Sequence, residues 1–326
     1  MNNLTRSPNP QLVRSLYEQG LITQILRIGL LLDVFSPLEF GPVTAEAVAE
    51  KCNCSIDGIK YLLHCLFTFG LVEENNNVYH LSPTADTFFV HGKPSYVGDW
   101  VLEQTNPSIF QDVLQAIQSG QPFSRSVPWH QLAWLESYDD SRITVSRNLW
   151  QAASVQPENY TSLRILDLAC GSSIVSFALA CQYSHIQVTC VDHPEVLQVA
   201  RDLAERLNLK NQANYLAGDL HSLEFGAQEY DIVLLGNATN FFTKQQNIDL
   251  FQKIYRCLKS RGLLVIDVTM KGNSKERNEH LGLYSLILWT FSGTEYYSFE
   301  DYMNWLNTQG FSQVNRLSKL WLSARK

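Results

Sequence analysis

Acidic and small residues stand where successive buried strands of the C-terminal half are predicted to end. Gly171 lies in a turn after a strand over 164–168, and Asp192 ends the next strand, 21 residues further on. Glycine lets the backbone approach a ligand closely, and a carboxylate at that spacing can accept both hydroxyls of a ribose. A third strand ends at Gly218 and Asp219, where a second carboxylate can accept an adenine amino group. These residues indicate a site for a nucleoside-containing cofactor, either a dinucleotide or an S-adenosyl group.

The same residues also have ordinary structural interpretations. Asp167, just before the glycine turn, can cap a helix or form a turn. Asp192 and Asp219 can be charges of surface loops. Three acids at three successive strand ends make coincidence improbable, so we favour the binding site, in which Leu220 would pack on the adenine ring.

An alternation of short apolar strands and amphipathic helices from Leu163 onward positions these residues. Such an alternation predicts a doubly wound, mostly parallel sheet, in which ligands bind at the carboxyl ends of the strands. A closing strand pair is predicted over 310–317 and 319–323. The other elements are predicted at 164–168, 174–181, 187–191, 195–207, 213–217, 230–235, 244–258 and 263–268.

The first hundred residues predict a different, mostly helical unit. Apolar residues recur at helical spacing over 11–37 with almost no charge, so we expect buried helices there. Thr44 and Ser55 are placed to cap two further helices, and residues 71–81, with a turn at 75–77, predict a hairpin. This is the order of a winged helix. The predicted fold class is α/β, a Rossmann-like, doubly wound, mostly parallel sheet behind an N-terminal, mostly helical winged-helix domain.

A winged helix often binds DNA, but the charge of this one argues against it. Residues 1–100 contain six Lys or Arg and ten Asp or Glu, and the whole chain has a net charge of −7. Only Lys60 and His64 are candidates for contacting DNA from the second helix. Because binding to phosphates depends on basic side chains, no nucleic acid is expected as a partner. We expect a dimerisation domain instead.

The segment between these units is predicted to be helical and is rich in aromatic residues. Core packing is the more common role of such residues, and a wall over a flat substrate is the functional alternative. The predicted domains are 1–95, a winged-helix dimerisation domain; 96–160, a helical segment that lines the substrate; and 161–326, the cofactor-binding domain. The aromatic residues are Trp100, Phe110, Phe123, Trp129, Trp134, Tyr138 and Trp150.

Composition restricts the class of protein further. With 326 residues, of which 45% are hydrophobic and 17% charged, the chain is expected to form two globular domains. No apolar run is long enough to span a membrane, and the start lacks an apolar secretory segment, so we expect a cytoplasmic protein. The seven cysteines imply no disulfide framework. Cys52 and Cys54 are too close for the usual zinc pair, so no metal site is expected.

The order DLACGSS, VD, AGD, YDIVLLGN and CLKSRGLLVID resembles the class I methyltransferases. The segment LILWTFSGTEYYSFEDYMNWLNTQGF resembles the C-terminal signature of small-molecule O-methyltransferases of the acetylserotonin and hydroxyneurosporene type. This resemblance implies S-adenosylmethionine as the cofactor, a small-molecule substrate and a homodimer through the N-terminal domain. The predicted cofactor-binding residues are Asp167, Ala169, Gly171, Ser173, Asp192, His193, Gly218, Asp219, Leu220 and Asn237.

The chain departs from this family at three places. Ala169 and Ser173 replace the first and third glycines of the turn, where the Ser173 hydroxyl can add a contact to the cofactor. Asn240 replaces the histidine that removes a proton from the acceptor in a motif like LPNxLHHF. Asparagine is no base near neutral pH, but it can hold a hydroxyl or carbonyl by hydrogen bonds. Ile287 replaces a polar residue that contacts substrate. The predicted substrate-lining residues are Trp129, Ile287 and Trp289.

Several mechanisms fit a methyltransferase without this histidine. The acceptor can arrive as an anion, so that alignment suffices, or His130 or His280 can act as the base, although each is more often a packing or surface residue. A carbon nucleophile, stabilised as an enolate, is an alternative, as is a fold retained for another reaction. A regulator that only senses the cofactor is disfavoured by the acidic first hundred residues. The expected function is in-line methyl transfer to an oxygen of a secondary metabolite, with Asn240 in the catalytic position.

Overall fold

The computed structural model describes residues 8–123, 129–271 and 279–326, without the side chains of residues 140, 279–281 and 283. The chain divides into two compact units, Met1–Gln111 and Asp112–Lys326. Within the described ranges, no helix has the length and apolar character that crossing a bilayer requires. The finer division at residues 95 and 160 stays a prediction.

The N-terminal unit has the predicted order of helix, helix and hairpin. Its elements are α1 (Pro10–Leu31), β1 (Val43–Thr44), α2 (Ala45–Lys51), α3 (Ile56–Thr68), β2 (Val72–Asn75), β3 (Val78–Leu81), α4 (Pro83–Phe88) and α5 (Gly98–Gln104). Ser55 caps α3 by accepting a hydrogen bond from Gly58 N at 3.2 Å. Asn76 and Asn77 have φ angles of 54° and 63°, as a tight hairpin turn requires. The cap at Ser55 and the turn at Asn76 and Asn77 therefore help to set the winged-helix order of elements.

Helix α1 is a single helix of 22 residues with most of its apolar side chains exposed. The buried residues of α1 are Gly29 and Leu30, so the prediction of buried helices over 11–37 is wrong for the single chain. Apolar residues occur on all sides of α1, and one helix cannot bury all of them against its own unit. The side chains of Leu12, Val13, Leu16, Tyr17, Leu21 and Ile22 are between 43% and 70% exposed. We call these six residues the α1 apolar surface.

A seven-stranded, mostly parallel sheet forms the C-terminal unit, as predicted. Helix α6 (Pro107–Ser119) contains the boundary between the two units. The elements that follow it are α7 (Trp129–Ser137), α8 (Asp140–Ala152), β4 (Leu163–Leu168), α9 (Ile174–Ala180), β5 (Ile186–Asp192), α10 (Pro194–Arg206), β6 (Ala213–Ala217), β7 (Tyr230–Leu235), α11 (Lys244–Cys257), β8 (Leu258–Asp267), α12 (Glu279–Ser292), α13 (Phe299–Thr308), β9 (Ser312–Arg316) and β10 (Trp321–Arg325). The strand order is β6-β5-β4-β7-β8-β10-β9. The first five strands of this order are parallel, whereas β10 is antiparallel to both β8 and β9.

Successive residues of the central strands pack into layers on opposite faces of the sheet. Leu166 and Leu168 of β4 belong to a cluster with Phe251 of α11, whereas Ile165 belongs to a second cluster with Phe177 of α9. All five side chains are fully buried. This burial on both faces is why the strands are nearly continuous apolar runs in the sequence.

Buried hydrogen bonds fix the turn that follows β7. The hydroxyls of Thr239 and Tyr302 lie 2.7 Å apart, and Asn247 Nδ2 of α11 donates to Thr239 O at 2.9 Å. Thr294 Oγ1 donates to Asn240 O at 2.6 Å. Side chains from α11, from α13 and from the loop after α12 thus hold the position of Asn240.

Replacing Tyr302 by Phe is expected to lower the free energy of unfolding by about 1–3 kcal/mol, because it leaves the buried Thr239 hydroxyl without its partner. Thr239→Val should have a similar cost. The double variant should lose less than the sum of the two, because neither polar group is then left unpaired. Urea unfolding of the four proteins measures this coupling, and strict additivity would mean that the hydrogen bond contributes nothing.

Candidate functional site

A cavity of about 510 Å³ opens at the carboxyl ends of the parallel strands. Nine of the ten predicted cofactor-binding residues line it, with Asn240 and Trp129. The nine are Asp167, Ala169, Gly171, Asp192, His193, Gly218, Asp219, Leu220 and Asn237. The shared edge of the sheet brings these residues together, although the chain separates them by up to about 70 positions.

The turn after β4 has a left-handed backbone at three alternate residues. The φ angles of Ala169, Gly171 and Ser173 are 49°, 54° and 57°. This conformation favours glycine, so Ala169 and Ser173 adopt it at a steric cost of order 1 kcal/mol each. The turn also packs closely on the next strand, because a β-carbon at Gly236 would lie 2.5 Å from Ala169 O. The surrounding structure therefore holds Ala169 and Ser173 in a backbone conformation that these residue types rarely adopt.

Asp167 lies beneath this turn and is buried. Ser176 Oγ donates a hydrogen bond to its Oδ2 at 2.5 Å. Burial raises the pKa of Asp167 to about 7, although the hydrogen bonds from Ser176 and Ser173 act in the opposite direction. The bond from α9 shows that Asp167 braces the start of that helix as well as lining the cavity.

Asp192 joins the ends of β4 and β5. Its Oδ2 accepts a hydrogen bond from Gly171 N at 3.0 Å, and its Oδ1 accepts one from His193 N at 2.8 Å. Burial raises the pKa of Asp192, and these two backbone bonds partly offset that rise. Each oxygen keeps a further lone pair, so the carboxylate can also accept hydroxyl groups from a ligand.

Asp219 and Leu220 form the cavity wall after β6. Asp219 Oδ1 accepts hydrogen bonds from His221 N at 2.8 Å and Ser222 N at 3.1 Å, while Leu220 is buried. One oxygen of Asp219 therefore shapes its own turn, and the other remains available to a ligand's amino group.

Asn240 lines the cavity, but its side chain already has protein partners. Nδ2 donates to Thr269 O at 3.3 Å, and Oδ1 accepts from Tyr302 Oη at 3.5 Å. The residue is 2% exposed. An amide in this position can orient a group but cannot take a proton from it.

Three charged residues that sequence reasoning missed also line the cavity. Asp267 ends β8, Glu136 belongs to α7 and Arg142 belongs to α8. Arg142 Nη2 lies 2.8 Å from Glu136 Oε1. Burial raises the pKa of Asp267 to about 7 and also raises the pKa of Glu136. The sequence contains a signal for Asp267, because this residue is another acid at the end of a parallel strand. Glu136 and Arg142 lie within helices, where the sequence offers no comparable signal.

An aromatic and apolar wall completes the cavity. Trp129 and Phe241 meet edge to face with ring centroids 4.9 Å apart, and Tyr284, Leu288 and Tyr296 also line the space. Such a wall suits a flat organic molecule.

Several predicted residues do not line the cavity in the part of the chain that the structure describes. Ser173 donates instead to Cys190 Sγ at 3.1 Å, and its neighbour Ser172 faces the cavity. His130, Ile287 and Trp289 are also not among the lining residues. The reason for the last two is helical phase: Tyr284 and Leu288, four positions apart, form the inner face of α12. His280 lies in α12, but its side chain is outside the described residues.

Ser172 offers a test of whether the cavity suits a polar ligand. Its hydroxyl is buried and has no hydrogen-bond partner among the described residues. A buried polar group without a partner is costly, so an unpaired hydroxyl in a cavity wall favours a ligand that bonds to it. Together with Asp192 and Asp219, the wall fits a nucleoside that carries further polar groups.

Each of the two units contains one family match. Residues 16–91 match the O-methyltransferase dimerisation domain, and residues 165–262 match the methyltransferase domain.

Known proteins resemble the chain over most of its length. The 3-hydroxy-5-methyl-1-naphthoate 3-O-methyltransferase of Streptomyces sahachiroi is 22% identical, over 90% of this chain and 86% of its own. An N,N-dimethyltransferase of Streptomyces rimosus is 24% identical, over 78% and 76% of the two chains. The crystal structure of human N-acetylserotonin methyltransferase in complex with S-adenosylmethionine has a TM-score of 0.66 at 18% identity, over 100% and 99% of the two chains. The last similarity shows that the fold is shared.

Asp192→Ala is expected to weaken S-adenosylhomocysteine binding by one to two orders of magnitude. Two charge-assisted hydrogen bonds to a ribose would be lost, and their net contribution is about 1.5–3 kcal/mol. Isothermal titration calorimetry measures the change. Asp249→Ala, at an exposed acid of α11 outside the cavity, is the matched control. Equal affinities of both variants and the unmodified protein would remove Asp192 from the site.

Proposed function

The chain belongs to the class I S-adenosylmethionine-dependent methyltransferases with an O-methyltransferase dimerisation domain, and from this premise we propose that it methylates an oxygen of a small aromatic secondary metabolite. The observation that carries the proposal is the composite cavity, in which acids from the ends of successive strands and an aromatic wall share one space.

The polar half of the cavity is proposed to hold the cofactor. Asp192 would accept the ribose hydroxyls, Asp219 would accept the adenine amino group, and Leu220 would pack on the adenine ring. Gly171 and Ser172 would contact the remaining amino-acid part. When bound, S-adenosylmethionine supplies a methyl group on a sulfonium centre, which is a strong leaving group.

The aromatic half of the cavity is proposed to hold the acceptor. Trp129, Phe241 and Leu288 offer flat apolar contacts, whereas the hydroxyls of Tyr284 and Tyr296 can fix the orientation of a polar substituent. The named activity of the Streptomyces sahachiroi relative, on a hydroxynaphthoate, supports an aromatic hydroxyl as the acceptor. Methyl transfer needs the attacking oxygen in line with the departing sulfur, so these residues act mainly by alignment.

Asn240 is proposed to take part in this alignment without moving a proton. Its bond to Thr269 O uses one hydrogen of the amide, and the second hydrogen can bond to the acceptor. The absence of a histidine at this position is also the observation that supports a second candidate, transfer to an enolate carbon, because such an acceptor needs no base at the moment of attack.

The acceptor atom is tested with S-adenosylmethionine labelled with ¹³C in the methyl group. We expect the label to appear as a methoxy carbon when hydroxylated naphthalenes and naphthoates are offered beside aromatic amines and enolisable diketones. Nuclear magnetic resonance identifies the methylated atom in each product. Asp192→Ala, deficient in cofactor binding, is the control. Label found only on carbon or nitrogen would overturn the choice of oxygen.

The N-terminal unit is proposed to form a homodimer through the α1 apolar surface. Exposed apolar patches of this kind are rare on monomers and mark interaction sites. The match to a dimerisation domain over residues 16–91 includes Leu16, Tyr17, Leu21 and Ile22, and it supports a second copy of the chain as the partner.

Leu16→Asp is expected to shift the protein from dimer to monomer, because a charge in a buried apolar contact has no partner and is strongly unfavourable. Analytical ultracentrifugation over a range of concentrations measures the shift. Phe40→Asp, at a 93% exposed residue outside α1, controls for adding a charge to the same unit. A stable dimer in the Leu16 variant would place the interface elsewhere.

A further inference from the structure

A carboxylate with no hydrogen bond or ion pair among the described residues lines the cavity. Asp267 is the last residue of β8 and pairs in register with Trp321 of β10, which also lines the cavity. Among the described residues, no hydrogen bond or ion pair to its side chain is formed. Two residues further on, Thr269 O accepts the Asn240 amide, so Asp267 and Asn240 belong to the same part of the wall.

The other acids of the cavity each have a protein partner. Ser176 donates to Asp167, and backbone amides donate to Asp192 and Asp219. Glu136 is paired with Arg142. The Oε2 of Glu136 also lies beside the glycine turn, 3.4 Å from where a β-carbon of Gly171 would be. Among the described residues, Asp267 is therefore the carboxylate of the cavity whose two oxygens both lack a protein partner.

Charged residues from two helices act on Asp267 in opposite directions. Arg142 of α8 stabilises its ionised form, whereas Glu136 of α7 destabilises it, and burial raises the pKa of Asp267 to about 7. Asp139 lies 4.0 Å from Arg142 and partly neutralises it. From the loop after α12, Tyr296 lines the cavity, and burial raises its pKa above the usual value of a tyrosine, so it stays neutral.

The helix that carries Glu136 is held in place. Arg206 of α10 donates to Ser137 O at 3.3 Å and to Ser137 Oγ at 3.0 Å, and its guanidinium lies over the Tyr138 ring, 4.4 Å from the centroid. The position of Glu136 is thus set by contacts between α7 and α10.

We propose that Asp267 is the proton acceptor of this enzyme, in the role that Asn240 cannot fill, and this proposal rests on oxygen being the methylated atom. The hydroxyl proton of the acceptor moves to a carboxylate oxygen of Asp267. The acceptor oxygen forms its bond to the methyl carbon as the carbon–sulfur bond breaks, leaving a neutral thioether. The proton on Asp267 then returns to solvent. A base whose pKa lies near the working pH combines a useful ionised fraction with a useful affinity for the proton.

The titration of Asp267 can be observed without any acceptor. With ¹³C-labelled aspartate in the S-adenosylhomocysteine complex, the signal that Asp267→Asn removes should titrate near pH 7. Asp167 has a similar pKa but remains in both spectra, so the difference isolates Asp267. Glu136→Gln should shift this titration to lower pH, and Arg142→Gln should shift it to higher pH. An ordinary aspartate titration, or one that neither variant moves, would overturn the proposal.

Turnover then tests whether the proton is received by this group. With 2-naphthol as the probe acceptor, Asp267→Asn should lower turnover about 10²–10⁴-fold, the usual contribution of a general base. The defect should shrink along a series of ring-chlorinated naphthols of increasing acidity, because a more acidic hydroxyl ionises unaided. The pH profile of the unmodified enzyme should rise towards a plateau and shift with the Glu136 and Arg142 variants as the titration does.

Two controls separate this proposal from the function on which it rests. If S-adenosylhomocysteine does not bind, or the label never reaches oxygen, the proposed function fails. If binding and O-methylation are intact but Asp267→Asn has undiminished turnover, or an equal defect with every naphthol, Asp267 is not the proton acceptor. Asp249→Ala, at an exposed acid outside the cavity, should keep the turnover of the unmodified enzyme at every pH.

Discussion

The site depends on one constraint, which is that the five neighbouring strands β4, β5, β6, β7 and β8 are parallel to one another. Parallel strands end at the same edge of a sheet, so residues far apart in the chain meet there whatever the connecting helices contain. Asp192, Asp219, Asn240 and Asp267 all follow or end different strands, and all line one cavity. The antiparallel strands β10 and β9 extend the sheet beyond β8, and Trp321 of β10 closes the cavity beside Asp267.

The cavity is acidic because several carboxylates are buried in its wall and few cationic side chains lie near them. Its wall holds five carboxylates and one arginine, Arg142, and burial raises the pKa of Asp167, Asp192, Glu136 and Asp267. Desolvated carboxylates are stabilised by a positive charge that enters the cavity. The cofactor of the class I methyltransferases brings a sulfonium and an ammonium group, so an acidic wall is the complementary one. Neutral thioether product lacks the sulfonium charge and should be held less tightly for the same reason.

The sequence was informative where a local rule decides the structure and less so where distant packing does. Strand ends, caps and the Asn76–Asn77 turn depend on neighbouring residues, so the order of elements was predicted correctly. Asp192 ends β5 and Asp219 follows β6, as expected, whereas their roles in binding a cofactor stay predictions. The same strand-end rule applies to Asp267, but the strand was predicted over 263–268, which placed this residue inside the strand and not at its end. Glu136 reaches the site through the packing of α7 on α10, which no periodicity reveals. Apolar spacing in α1 predicted burial, but spacing does not distinguish burial within a chain from burial against a second one.

Asn240 and Asp267 belong to the same part of the cavity wall, so the charge of the residue at position 240 affects the pKa of Asp267. A histidine at position 240 would be a second titratable group close to the end of β8, and when protonated it would stabilise the ionised form of Asp267 and lower its pKa. Asparagine carries no charge, so the balance at Asp267 is left to burial, Glu136 and Arg142, and burial is the largest of these. With asparagine at position 240, the proton affinity of Asp267 is therefore higher than it would be beside a protonated histidine. An uncharged residue at position 240 is thus consistent with the role proposed for Asp267.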